Sequence, residues 1–208
     1  MANIDDEIHF TSLKANVMGD IQLWERFKSG DKEALSQIFH DHIKILYKYG
    51  HKFSRDQQLV EDCIQDLFLE IWQRRENLGS TDSIKRYLLG SLRRKIIRKD
   101  QRVKKHLSDK VEMDEYNFEV EFTCEKLLID QEISAENKAK INRGLSQLSK
   151  RQKEAIYLKY YADLDYQEVS EIMSLNYQST RNIIHSSLKK LRQLLVKMIV
   201  FFLLSGWH

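Results

Sequence analysis

Apolar residues recur along this chain at three- and four-residue spacing, the period of helices that bury one face. Between Ile21 and about Lys52 the sets Leu23, Trp24, Phe27, then Leu35, Ile38, Phe39, then Ile43, Leu46, Tyr47 predict two or more amphipathic helices. Ser29-Gly30-Asp31 separates them, with Gly30 suited to the position just past a helix and Asp31 to the N-cap of the next. In DCIQDLFLEIW, residues Cys63, Ile64, Leu67, Phe68, Ile71 and Trp72 form one broad apolar face. Asp62, Asp66 and Glu70 stand on another face at four-residue steps with no base interleaved, a repelling arrangement worth a few tenths of a kcal/mol per pair. A solvated surface accounts for such a stripe, and so does a docking face for a basic partner. After the turn-rich ENLGSTDS, a helix is predicted from about Ile84 to Lys105, with Tyr87, Leu88, Leu92 and Ile96 inward.

The C-terminal part is periodic again. Ile141, Leu145 and Leu148 precede Ser149, a cap for KRQKEAIYLKYYA, whose apolar face is Ala155, Ile156, Leu158 and Tyr160. Asp165 caps YQEVSEIM, and Glu168 completes a capping box. A short Ser174-Leu175-Asn176 turn leads into NYQSTRNIIHSSLKKLR, so two helices meet across about three residues, the spacing of a helix-turn-helix.

Composition agrees with an all-helical chain: in 208 residues there is no proline and there are 7 glycines, and Asn-Gly or Asp-Gly hairpin signals are missing. That length holds one sizeable domain or two small ones. The net charge of +3 conceals a segregation. Lys85, Arg86, Arg93, Arg94, Lys95, Arg98, Lys99, Arg102, Lys104 and Lys105 face Asp100 alone, and an ordinary solvated helix would mix glutamates among them; one sign along a whole face points to phosphates. From Asp109 to Glu136 the sign reverses, with only Lys110 and Lys126 opposing ten acids, so about 107–137 reads as an acidic linker with a short helix near Cys124 to Ile129. An acidic tether of this kind can occupy a nucleic-acid path in a partner until the real chain displaces it.

With Asn176 as N-cap, Thr180, Ile184, Leu188 and Leu191 turn inward and leave Gln178, Ser179, Arg181, Asn182 and His185 outward in the first turns. Second helices of such units enter the major groove by their N-terminal residues, where Arg pairs bidentately with guanine and Gln or Asn with adenine. Lys189, Lys190 and Arg192 would then meet phosphates. Enzymatic readings find no support: there is no glycine-rich phosphate loop, no HExxH and no glycine-flanked serine. His40 and His42 lie on different sides of a helix and do not make a metal pair. Neither a catalytic residue nor a metal or other cofactor is expected.

The arrangement resembles the extracytoplasmic-function, group IV, sigma factors of bacterial RNA polymerase, over about residues 21–196. DCIQDLFLEIW is similar to the family's region 2.2 pattern, and LSQLSKRQKEAIYLKYYADLDYQEVSEIMSLNYQSTRNIIHSSLKKLR to its region 4 pattern. The resemblance implies two small helical domains, sigma-2 over 21–106 and sigma-4 over 138–196, joined by a flexible linker over 107–137. It implies that Asp62, Gln65, Asp66, Glu70 and Trp72 bind core polymerase at the beta-prime clamp helices, with the beta subunit a further contact. The minus-ten promoter element falls to Asn77 and Ser80 of a specificity loop, Asn77 to Ser83, that holds a flipped base, and to Arg86, Tyr87, Arg93, Arg94, Arg98 and Arg102. The minus-thirty-five element falls to Gln178, Ser179, Arg181, Asn182, His185 and Lys189. Arg94 stands where many members have Asn, and Ser174 where many have Gly; the first points to an altered promoter preference, the second to a little backbone strain. An anti-sigma factor or other regulatory partner is implied as well.

A stand-alone helix-turn-helix regulator is the rival reading, but it has no use for the acidic stripe, and a purely structural adaptor has none for the unopposed bases. Residues 1–20 read as a mobile extension and 197–208 as an apolar tail. Its run from Met198 to Leu204 falls far short of the roughly 20 residues of a membrane span, so no membrane insertion is expected. Cys63 and Cys124 are too few and too far apart for a zinc cluster or disulfide framework, and no signal-peptide core begins the chain; a reducing cytoplasm is the expected setting.

Overall fold

A computed structural model describes residues 19–107, 116–120 and 142–205, with side chains outside the description over 102–107 and 194–205. The expected helix near Cys124 to Ile129, Cys124 itself, Ile141 and the side chain of Arg102 therefore lie outside the described residues. Among those residues all regular structure is helical. The chain divides into two compact units, Met1–Asp109 and Lys110–His208.

The first unit packs α1 (19–28), α2 (Lys32–Gly50), α3 (Gln57–Gln73) and α4 (Ile84–Leu107) around Trp24, Phe27, Ile38, Leu46, Leu67, Leu88 and Leu92, all of them at most 1% exposed. Gly30 takes φ +91° just past α1, where a side chain would be strained. Asp31 then caps α2, accepting from the N–H groups of Glu33 at 2.9 Å and Ala34 at 3.1 Å. Asp20 belongs to α1 rather than to a lead-in: its Oδ2 accepts from the Ile84 N–H at 2.8 Å and so satisfies the start of α4. Trp72, expected on the apolar face of α3, is only half-buried, while the adjoining Ile71 is 3% exposed. Phe39 is 41% exposed despite its place in the apolar pattern, and it meets Phe68 edge-on at 5.0 Å.

The second unit is built from α5 (142–146), α6 (Lys150–Ile156), α7 (Tyr166–Met173) and α8 (Tyr177–Ser205). Ser149 with Gln152 and Asp165 with Glu168 both form complete capping boxes. α6 runs straight into a π-turn over Tyr157–Tyr161, closed by the Ala162 N–H on the Tyr157 carbonyl at 3.0 Å. The wider turn changes which tyrosine faces inward: Tyr157 is 2% exposed, and Tyr160, placed inward by a regular period, is 51% exposed. In α8 Leu188, also placed inward, is 38% exposed, and Ser187 is buried instead with its hydroxyl donating to the Ile183 carbonyl at 2.6 Å. Residues 116–120, within the stretch read as linker, pack onto this unit: Phe118 is 1% exposed with its ring 5.9 Å from Tyr157, and the Tyr116 hydroxyl donates to the buried carboxylate of Glu154.

Candidate nucleic-acid interface

α8 begins where the Asn176 side chain accepts from the Ser179 N–H at 2.7 Å, which fixes the helix phase. Thr180, Ile184 and Ser187 are fully buried, and Gln178, Arg181, Asn182, His185 and Lys189 are exposed as a consequence. Ser179 is half-buried, its backbone serving the cap. Gln178 donates through Nε2 to Asn182 Oδ1 at 3.2 Å, so these two amides already lie side by side on the outer face. Lys190 reaches back to the Gln147 carbonyl at 2.6 Å, leaving Lys189 and Arg192 as exposed cations near it. The turn before α8 is a Schellman arrangement, with the Leu175 N–H on Ser170 O at 2.9 Å and the Ser174 N–H on Glu171 O at 3.2 Å.

In the first unit, the segment between α3 and α4 is held from behind by α1. Trp24 Nε1 donates to the Gly79 carbonyl at 2.9 Å, and the Ser80 hydroxyl donates to Glu25 at 3.1 Å. Asn77 ends a short 3-10 turn, Arg75–Asn77, and is exposed. Arg86, in the first turn of α4, pairs at 2.5 Å with Asp82 of the segment before it. Tyr87 lies against Trp24 with ring centres 4.9 Å apart, and burial raises its phenol pKa.

A cavity of about 280 Å³ opens between α3 and α4, floored by Leu67, Ile71 and Leu78 and bordered by Tyr87, Arg94 and Arg98. Three of the expected minus-ten residues, Tyr87, Arg94 and Arg98, thus share one recess, whereas Asn77, Ser80, Arg86 and Arg93 do not line it. Arg94 is exposed and donates to the Ser91 hydroxyl at 2.9 Å.

The carboxylate stripe differs from its expected form. Within α3 it has no interleaved base, but α4 supplies bases across the seam. Lys95 Nζ lies 2.6 Å from Glu70, and Lys99 Nζ lies 3.4 Å from Asp62 and 4.0 Å from Asp66. Arg74 holds the other Glu70 oxygen at 3.1 Å, and Gln58 donates to Asp62 at 2.8 Å. The Gln58 hydrogen bond and then Lys99 hold Asp62 below the usual carboxylate range, and Lys95 and then Arg74 do the same for Glu70. Repulsion along the stripe is therefore relieved inside the molecule. Gln65 is exposed, while Trp72 is half-buried beneath the Arg75 guanidinium, 4.7 Å from its ring. Sequence patterning did not single out Leu69, which is 59% exposed among Gln65, Asp66 and Glu70. The signal was its place outside the apolar face that Ile64, Leu67, Phe68 and Ile71 define.

Each unit contains one recognised module. Residues 38–106 match the model for sigma-70 region 2, and residues 138–191 match that for sigma-70 region 4. The chain belongs to the sigma-70 family of RNA polymerase sigma factors. Within it the relatives are of the extracytoplasmic-function type. SigK of Mycobacterium tuberculosis is 24% identical over 178 residues, spanning 85% of this chain and 94% of SigK. SigL of the same species is 22% identical over 155 residues, 74% of this chain and 85% of SigL. The fold is similar to that of CnrH, solved in complex with the cytosolic domain of CnrY, at TM-score 0.56 and 17% identity over 86% of this chain and 97% of CnrH. It is similar too to the sigma factor RpoE of Bartonella quintana, solved with the anti-sigma factor NepR, at TM-score 0.51 and 18% identity over 79% of this chain and 95% of RpoE. Among the described residues no helix is long and apolar enough to cross a membrane.

Proposed function

We propose that this sigma factor carries out initiation by division of labour between its units. The α3 face of Asp62, Gln65, Asp66 and Glu70, with Leu69 as apolar centre and Trp72 at its end, docks on the clamp helices of the polymerase beta-prime subunit. The loop carrying Asn77 and Ser80, with Arg86, Tyr87, Arg93, Arg94, Arg98 and Arg102 of α4, takes the minus-ten element. Gln178, Ser179, Arg181, Asn182, His185 and Lys189 take the minus-thirty-five element. The chain acts in the cytoplasm as an initiation factor without catalysis of its own, and an anti-sigma factor restrains it, as NepR is found bound to RpoE.

One observation carries this reading: α8 buries Thr180, Ile184 and Ser187 and presents Gln178, Arg181, Asn182 and His185 together at its N-terminal turns. These side chains match the donor and acceptor edges of the major groove. Magnitudes assign the opening step to the holoenzyme. Separating about ten base-pair steps at ~1.4 kcal/mol each costs on the order of 14 kcal/mol, against about 1–3 returned per stacked base. The test is reconstituted transcription on a genomic library with core enzyme, followed by mapping of start sites. A shared pair of upstream elements is the result expected, lost together with core capture in an Asp66→Lys variant. Specific duplex binding by the free chain, with core enzyme adding nothing, would overturn the reading.

A further inference from the structure

The seam between α3 and α4 joins the acids assigned to polymerase with cations of the helix assigned to DNA. Lys95 sits 2.6 Å from Glu70, and Lys99 sits 3.4 Å from Asp62 and 4.0 Å from Asp66. Neither set is shut away: the side chains of Lys95 and Lys99 are 26% and 39% exposed, and those of Asp62, Asp66 and Glu70 are 42%, 60% and 45% exposed. We infer that these ion pairs are an exchangeable internal plug, in which a basic partner surface on α3 displaces Lys95 and Lys99 and delivers them to DNA phosphates. The inference rests on the proposed assignment of the two surfaces.

Two features make exchange favourable in both directions. Each pair is solvent-accessible, so it is weak enough to be traded for a charge-assisted contact with a partner. Each lysine is also shared with an acid on a different helix, so it swings away by side-chain rotation without moving the backbone. Asp66 is the most exposed acid and has the loosest contact, which makes it the point of entry. Glu70, held at 2.6 Å by Lys95 and at 3.1 Å by Arg74, is the last to exchange. Because coupling between two ligands is reciprocal, DNA bound to Lys95 and Lys99 frees the acids and raises affinity for the polymerase by the same factor.

The experiment measures binding of a fluorescent single-stranded oligonucleotide by the full-length chain without polymerase, titrated with salt. An Asp62→Asn/Glu70→Gln variant mimics the displaced state, and Glu33→Gln/Asp41→Asn on α2 gives the same change of net charge away from the seam. Circular dichroism establishes equal helicity. The seam variant is expected to bind about three- to tenfold tighter than the α2 control, with a log–log salt slope steeper by up to ~1.4 for two added phosphate contacts. That gain disappears when Lys95→Met/Lys99→Met is added. Equal affinity of the seam variant and the α2 control overturns the plug, as does a gain that survives loss of the lysines. If Lys95→Met/Lys99→Met weakens binding of the otherwise wild-type chain while the seam gain is absent, the DNA assignment of α4 stands and the plug alone falls. If the lysine variant binds DNA like wild type and the seam gain is absent as well, the assignment itself has failed for these residues, and the plug with it; wild-type binding by the lysine variant beside a lysine-dependent seam gain is what a closed plug gives.

Discussion

Ser174 holds a left-handed backbone conformation, φ 54° and ψ 47°, because the Schellman turn between α7 and α8 needs one there. A residue with a Cβ loses about 1–2 kcal/mol in that region, and glycine gives back part of the gain through its freer unfolded chain. Ser174→Gly should therefore stabilise the second unit by about 0.5–1 kcal/mol, seen as a higher thermal midpoint. His42 gives the first unit a pH dependence. Burial lowers its pKa, outweighing the opposing pull of Asp20 and Asp41, and Lys85 acts in the same direction as burial. The unfolded chain then takes up the proton first as pH falls, so stability present above the ordinary histidine value of about 6.5 is lost below it. Denaturant unfolding followed from pH 7.5 to pH 5 should show this decline, and His42→Gln should flatten it.

At the scale of elements, what was legible in the sequence was what neighbours in sequence decide. Asp31, Ser149, Asp165 and Asn176 cap the helices that follow them because a cap bonds two or three residues ahead. Tyr157 was missed because a π-turn breaks the period on which the inward face was counted. Lys99 and Lys95, opposing Asp62 and Glu70, were missed because they arrive from another helix, a tertiary fact that no i to i+4 count contains, whereas Arg74, four residues past Glu70, lies within such a count. Gly50 is a further case. Its hydrogen stands where a Cβ would meet Val60 Cγ1 at 2.6 Å and Ile96 Cδ1 at 3.4 Å, so α2 can approach α3 and α4 only without a side chain there. Gly50→Ala should cost about 1–3 kcal/mol through overpacking, despite better helix propensity. Most of that cost should vanish when Val60→Ala is combined with it, a non-additivity that a double-mutant cycle measures. The packing of 116–120 on the second unit was not legible either, since an acidic run hides Tyr116 and Phe118. Phe118→Ala should destabilise that unit by about 3–5 kcal/mol in thermal or denaturant unfolding.

For the whole molecule, a net charge of +3 understates the cations that α4 would offer DNA on the proposed assignment, because Lys95 and Lys99 are cancelled locally while Arg94 and Arg98 remain exposed. On the proposed assignment, two grips carried by one chain multiply their effects once one has engaged, since the second then binds at a high effective concentration. Neither needs high affinity alone, and selectivity is divided between them by chemistry. Arg181 presents a bidentate fork at the start of α8, so Arg181→Ala in the holoenzyme should cost about 1–3 kcal/mol and relax preference at one position of the upstream element. Arg98, on the rim of the α3–α4 recess, meets backbone rather than base edge on this reading. Arg98→Ala should weaken all promoters alike and reduce the salt slope of binding by about 0.7–0.9. Promoter libraries bound across a salt series separate the two results. If Arg98→Ala instead changes sequence preference and leaves the salt slope intact, the recess reads a base, and its arginines belong with the readers rather than the phosphate clamps.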